Sequence, residues 1–167
     1  MTHSIIKYGI IFFSMVLIQV LILNQIQFSG FVNPFIYILF VMLLPLTIPK
    51  YLLLPLAFLL GLTIDVFSDS LGIHAAATTF IAYLRPVIIG AISSRDKENN
   101  NYPGLKQNSI QWFMLYTVAM VFFHHMVLFF LEIFSFSGLF YTILKIIVSS
   151  VFSIFVIVLS QYIIFRD

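Results

Sequence analysis

The chain has 167 residues, of which 62% are apolar and only 8% charged, and it carries a net charge of +2. Soluble domains hold ~45–50% apolar and ~25% charged residues, so the solvent for this chain is lipid, and the small net charge gives no footing for nucleic acid. It has 0 Cys, which excludes disulfides, thiolate metal sites and Cys nucleophiles together.

A helix needs ~20 residues to cross ~30 Å of hydrocarbon. Six such helices use about 120 residues and leave too few for a catalytic head or a nucleotide-binding module. The first span covers 5–24, contains Lys7 and ends at Asn24-Gln25. It lacks the short apolar core and small-x-small cleavage site of a signal peptide, and reads as an uncleaved span. The second, 34–48, opens with Asn33 as N-cap and Pro34 at the first helical position, and Pro49 stops it. The third, 51–67, carries Pro55, Gly61 and Asp65. Spans two and three are short, and a re-entrant hairpin is the alternative. That hairpin would bury Lys50 at a cost of ~2.5–3.5 kcal/mol, so two full spans joined at the surface are expected.

After the polar turn Ser68-Asp69-Ser70, the fourth span covers 72–93 and includes Arg85-Pro86. The stretch 94–108 is rich in charge and Asn, with a Pro103-Gly104 turn, and forms the main loop. The fifth span, 109–133, holds His124, His125 and Glu132; the sixth, 139–165, follows Ser137-Gly138 and holds Lys145. The expectation is an all-α integral membrane protein, a single polytopic domain over 1–167 with six transmembrane helices. With six spans, Lys7, Lys50, Arg95, Lys97, Lys106 and Arg166 fall on one side, and the loops 25–33, 68–71 and 134–138 hold no Lys or Arg. By the positive-inside rule both termini are cytoplasmic.

Ionisable groups inside spans mark functional or pairing sites by default. Asp65 lies four residues after Gly61, and Ala57 and Gly61 form a small-xxx-small pair that admits a second helix. The carboxylate either accepts hydrogen bonds from the start of the fourth span, with His74 as a second donor, or sits in interfacial water. Asp69 reads as a solvated cap. Arg85 lies ~18 Å down the fourth span from Ile73, near the midplane, and Pro86 frees the Ala82 carbonyl beside it. Internal pairing and contact with a ligand or partner both remain open for Arg85. His124 and His125 point about 100° apart on a helix, so chelation of one metal is not expected, and one ring facing the bundle is. Glu132 and Lys145 sit in the same outer half and are placed to form an ion pair. Hydrolase elbows, Walker loops and dinucleotide glycine patterns are absent from the sequence. No enzyme activity, catalytic residue, metal site or cofactor is expected.

Residues 56–85 read LAFLLGLTIDVFSDSLGIHAAATTFIAYLR. With Gly61-xxx-Asp65, Leu71-Gly72-x-His74 and Tyr83-Leu84-Arg85-Pro86, this stretch resembles the MreD family of rod shape-determining proteins, especially its Bacteroidetes-type forms. The resemblance implies a component of the cell-wall elongation machinery in the bacterial inner membrane. Its direct partner would be MreC, and through MreC it would connect with MreB, RodA and the elongation transpeptidase. It also implies a fold similar to the membrane substrate-binding subunit of energy-coupling-factor transporters, and hence an alternative function as a vitamin-type binding subunit. Partner-binding or bundle-organising roles fall on Gly61, Asp65, Gly72, His74, Thr79, Tyr83 and Arg85. One further pattern lies in the fourth span. Gly72, Ala76, Thr79, Tyr83, Pro86 and Gly90 form a helical stripe of mainly small residues. The stripe serves either internal packing or the docking of a partner helix.

Overall fold

A computed structural model of the chain describes residues 2–26, 32–93, 102–133 and 138–164. Arg95, Lys97 and Arg166, which contribute to the charge asymmetry, lie outside the described residues, as does most of the loop 94–108. The described chain is helical: α1 (Thr2–Leu21), a short 3-10 turn (Leu23–Gln25), α2 (Ile38–Leu43), α3 (Lys50–Ser68), α4 (Ile73–Ile92), α5 (Ile110–Ile133) and α6 (Leu139–Ile164). Five helices are long and apolar enough to cross a membrane: α1, extended by the 3-10 turn, and α3 to α6. The 19 residues of α3 span ~28 Å and the 24 of α5 ~36 Å.

Their outer faces are apolar, inverting the soluble pattern. On α1, Ile6, Ile10, Phe13, Leu17 and Leu21 point away from the bundle at helical spacing, whereas Met15, Val16 and Gln19 point inward. On α6, Phe140, Ile147, Val151 and Phe155 face outward, and Thr142, Ser149, Ser153 and Gln161 face inward. A lipid-facing surface and a partly polar interior are what a hydrocarbon solvent selects, because internal polar groups then meet one another rather than lipid.

The segment 34–48 departs from expectation. It folds not as a membrane-length helix but as the 6-residue α2, flanked on both sides by non-helical backbone. Prolines account for the break. Pro34 constrains the backbone before α2, and Pro45 and Pro49 prevent its continuation. Such a backbone cannot face lipid, and this one does not: Ile38, Leu39, Val41 and Met42 are wholly buried, with α1, α4 and α5 packed around α2. Irregular backbone at membrane depth is tolerated only inside protein, and here it forms the centre of the core. The chain still passes from one end of the bundle to the other along this segment. Consequently Lys7 near the start of α1 and Gln161 near the end of α6 line one cavity at the same end.

The α3–α4 hairpin turns on two left-handed residues. Asp69 (φ 51°) closes α3, with its own amide and that of Ser70 bonding back to the Asp65 carbonyl, and Gly72 (φ 83°) precedes α4. Asp69 therefore caps the end of α3 in the place glycine usually takes. At Gly61 the two helices touch backbone to backbone. A Cβ there would lie 2.5 Å from both Ala75 Cα and the His74 carbonyl oxygen.

Candidate functional site: the buried polar framework

Asp65 stands in the last turn of α3, 2% exposed, facing the start of α4. Its Oδ1 accepts from the His74 amide at 3.0 Å and its Oδ2 from the Ala75 amide at 2.8 Å. These are two of the donors that a helix leaves open at its N-terminus. The Ser70 hydroxyl donates to Oδ1 at 2.6 Å, and His74 Nδ1 lies 3.0 Å from the same oxygen. An ionised carboxylate only accepts, so Nδ1 carries the ring proton. Asp65 is thus the cap of the neighbouring helix, and Gly61, one turn earlier, lets α4 come close enough to be capped. The expected donors at the start of the fourth span prove to be the His74 and Ala75 amides, with the His74 ring beside them.

Arg85 does for α2 what Asp65 does for α4, with opposite charge. Its guanidinium is 2% exposed. It donates to the carbonyls of Leu44 and, at 3.3 Å, of Pro45, and lies 3.5 Å from that of Met42. Nε donates to the Tyr116 hydroxyl at 3.0 Å, which donates in turn to the Met42 carbonyl at 3.2 Å. The Met42 and Leu44 carbonyls lie in the last turn and cap of α2, where a helix leaves acceptors open, and a cation at a helix C-terminus also complements the dipole. Of the two readings left open by the sequence, the partners of Arg85 are internal.

The other end of the broken segment is held by neutral groups. Gln19 of α1 accepts from the Ile36 amide at 2.9 Å and donates to the Pro34 carbonyl at 3.1 Å. Ser149 and Ser153, one turn apart on α6, accept from the amides of Asn33 (3.1 Å) and Phe35 (2.8 Å). The Ser153 hydroxyl donates to His125 Nε2 at 3.0 Å, and His125 Nδ1 donates to the Val121 carbonyl at 2.8 Å. His124 Nε2 lies 2.7 Å from the Tyr37 hydroxyl. Both histidines are buried, where the sequence suggests only one; the pair straddles Phe35, whose ring stands 5.9 Å from His124 and 5.3 Å from His125. Among the described residues, no three His, Asp or Glu side chains converge as a metal site would require.

The remaining sequence candidates lie elsewhere. Glu132 and Lys145 form an ion pair at 2.9 Å near the surface, with Lys145 also 4.6 Å over the Phe129 ring. Tyr83 is exposed on α4, Gly72 at its start and Thr79 within it are half-buried, and the Thr79 hydroxyl bonds its own helix at the Ala75 carbonyl (2.7 Å). Gln19, Tyr37, Tyr116, Ser149 and Ser153 were not singled out by the sequence. Their signal was a polar atom within an apolar run, strongest in the i,i+4 pair Ser149 and Ser153. Above this framework, on the Asp65 side, a cleft of about 370 Å³ opens between Asn24, Asn33, Phe35, Ser68, Asp69 and His74.

Comparison with models of known protein families, with curated proteins and with solved structures finds no match to this chain.

Proposed function

We propose that this chain is a non-enzymatic membrane scaffold of the MreD type, which binds MreC and helps to regulate lateral peptidoglycan synthesis and rod shape. On this reading it lies in the bacterial inner membrane with both termini cytoplasmic. MreB, RodA and the elongation transpeptidase are reached through MreC. The observation that carries the proposal is the orientation of the small-residue stripe of α4. Ala76, Tyr83, Pro86 and Gly90 are exposed on the outside of the bundle, and a Cβ placed on Gly90 meets nothing within 4 Å. Internal packing is therefore not their role. A lipid-facing strip of small residues is what a second transmembrane helix needs for close approach, and MreC supplies one span. The interior supports the same reading, because Asp65, Arg85, Gln19 and His125 spend their hydrogen bonds on the chain's own backbone. Such groups stiffen a platform.

A second reading, the vitamin-type binding subunit of a transporter, has one observation in its favour. The 370 Å³ cleft beside His74 is lined by several amide and hydroxyl side chains and is of ligand size. Co-purification from detergent separates the two. Recovery of a stable complex with MreC, and no ATPase module or vitamin, supports the scaffold. Recovery of an ATPase module or a vitamin without MreC would replace it with the transporter subunit.

A further inference from the structure

At the end of the bundle opposite Asp65, a cavity of about 190 Å³ is lined by Lys7 and Tyr8 of α1, Leu43 of α2, Tyr102, Lys106 and, on α6, Gln161. Three features of its wall point the same way. The first is charge: two ammonium groups line it, and the described carboxylates, Asp65, Asp69 and Glu132, all lie at the other end, the first in the α4 cap and the last paired with Lys145. The second is the posture of Lys7. Its Nζ stands 5.3 Å from the Tyr102 ring and 5.8 Å from the Tyr8 ring, so among the described residues its neighbours are aromatic faces and not a carboxylate.

The third feature is Gln161, which is 1% exposed. Its side-chain oxygen faces the Leu105 amide at 3.5 Å, the arrangement that suits an acceptor at that end. The nitrogen end is then a buried donor with no partner among the described residues. Buried polar groups are nearly always hydrogen-bonded, so an orphaned donor on a cavity wall marks the place of an acceptor from outside. The rings of Tyr8 and Tyr102 lie on the same wall. Apolar Ile11 and Leu43 complete the wall.

We infer that this cavity binds a phosphate-bearing anion, with Lys7 and Lys106 supplying charge and Gln161 Nε2 an aimed hydrogen bond. Such an anion comes either as the headgroup of an anionic phospholipid or as free phosphate. The shared chemistry is a tetrahedral oxyanion that accepts from several donors at once. The site is independent of the scaffold proposal, since it lies away from the α4 stripe.

The test uses the full chain in detergent, with bound lipid read by native mass spectrometry. Short-chain phosphatidylglycerol, short-chain phosphatidylcholine and inorganic phosphate are the probes. Phosphatidylglycerol should be held roughly tenfold more tightly than phosphatidylcholine. The preference should vanish in the double variant Lys7→Ala/Lys106→Ala and in Gln161→Glu, which adds a repelling carboxylate. It should survive in Lys7→Arg/Lys106→Arg, which also shows that the fold tolerates change at these positions, and in Lys50→Ala, whose cation lies outside the cavity. Competition by millimolar inorganic phosphate identifies a free anion as sufficient; its failure assigns the site to a lipid headgroup. Equal retention of both lipids with no competition by phosphate overturns the inference, as does a preference that Lys50→Ala weakens as much as the double variant.

Discussion

Two buried charges organise the bundle, and each does so by completing a helix that is not its own. Asp65 uses both oxygens on backbone amides of α4, a division of labour that a neutral amide cannot copy. Asp65→Asn keeps one acceptor and turns an NH2 group toward the other amide, so it should lose about 1–3 kcal/mol. Asp65→Leu leaves the His74 and Ala75 amides and Ser70 without their acceptor and should lose more. Thermal unfolding in detergent should rank wild type above Asn and Asn above Leu; equal melting of all three would refute the capping role. Arg85 answers to the same logic at the carbonyl end of α2. Arg85→Ala strands the buried Leu44 carbonyl and removes a donor from the Pro45 carbonyl and the Tyr116 hydroxyl, at about 1–3 kcal/mol for a stranded buried group. Arg85→Lys should recover only part of this, because an ammonium lacks the fork that reaches several carbonyls in one plane. Recovery of full stability with Lys would mean that charge alone suffices. Melting curves of the two variants beside Lys106→Ala, a cation at the bundle end, make the comparison.

Among the elements, α2 is the one whose form the sequence conceals. Asn33-Pro34 and Pro49 read equally well as the ends of a helix, and the 15 or so apolar residues between them fit a short span. What decides the outcome is partners remote in the chain: Gln19, Arg85, Tyr116, Ser149 and Ser153 offer the broken backbone the hydrogen bonds that an intact helix would have made for itself. No local pattern encodes that convergence. The α3–α4 hairpin, by contrast, was legible, since the Gly61 and Asp65 spacing, the Ser68–Ser70 turn and His74 all act between neighbours in sequence. The two helices also differ in what glycine does. Gly61→Leu drives a side chain into the α4 backbone and should abolish a monodisperse peak in size-exclusion chromatography. Gly90→Leu projects into open space and should leave that peak and the melting temperature unchanged. A fold that tolerated Leu at Gly61 would show that α3 and α4 do not pack closely enough there to exclude a side chain.

For the whole molecule, composition alone identifies lipid as the solvent and the long helices as spans, because both follow from counting apolar residues. Placement of the polar groups does not, since depth in sequence says nothing of which face turns inward; both histidines at 124 and 125 prove buried for this reason. Sidedness rests on the distribution of Lys and Arg, and because the chain has 0 Cys it can be tested with single cysteines. Ser70→Cys should react with an impermeant maleimide added to intact spheroplasts, and Lys106→Cys only after lysis; the reverse pattern would invert the topology. The scaffold reading makes a sharper demand, that the single span of MreC lie along α4. The competing surface is the apolar groove between α5 and α6, lined by Met114, Val151, Phe155 and Leu159. Cysteines placed singly at Ala76, Tyr83, Gly90, Val151 and Phe155 can be oxidised in native membranes against a cysteine scanned through the MreC span. Disulfide adducts at Ala76, Tyr83 and Gly90, each peaking at a depth in the MreC span that matches its own and none at Val151 or Phe155, are the predicted result; adducts confined to Val151 and Phe155, or none at any position, would contradict it.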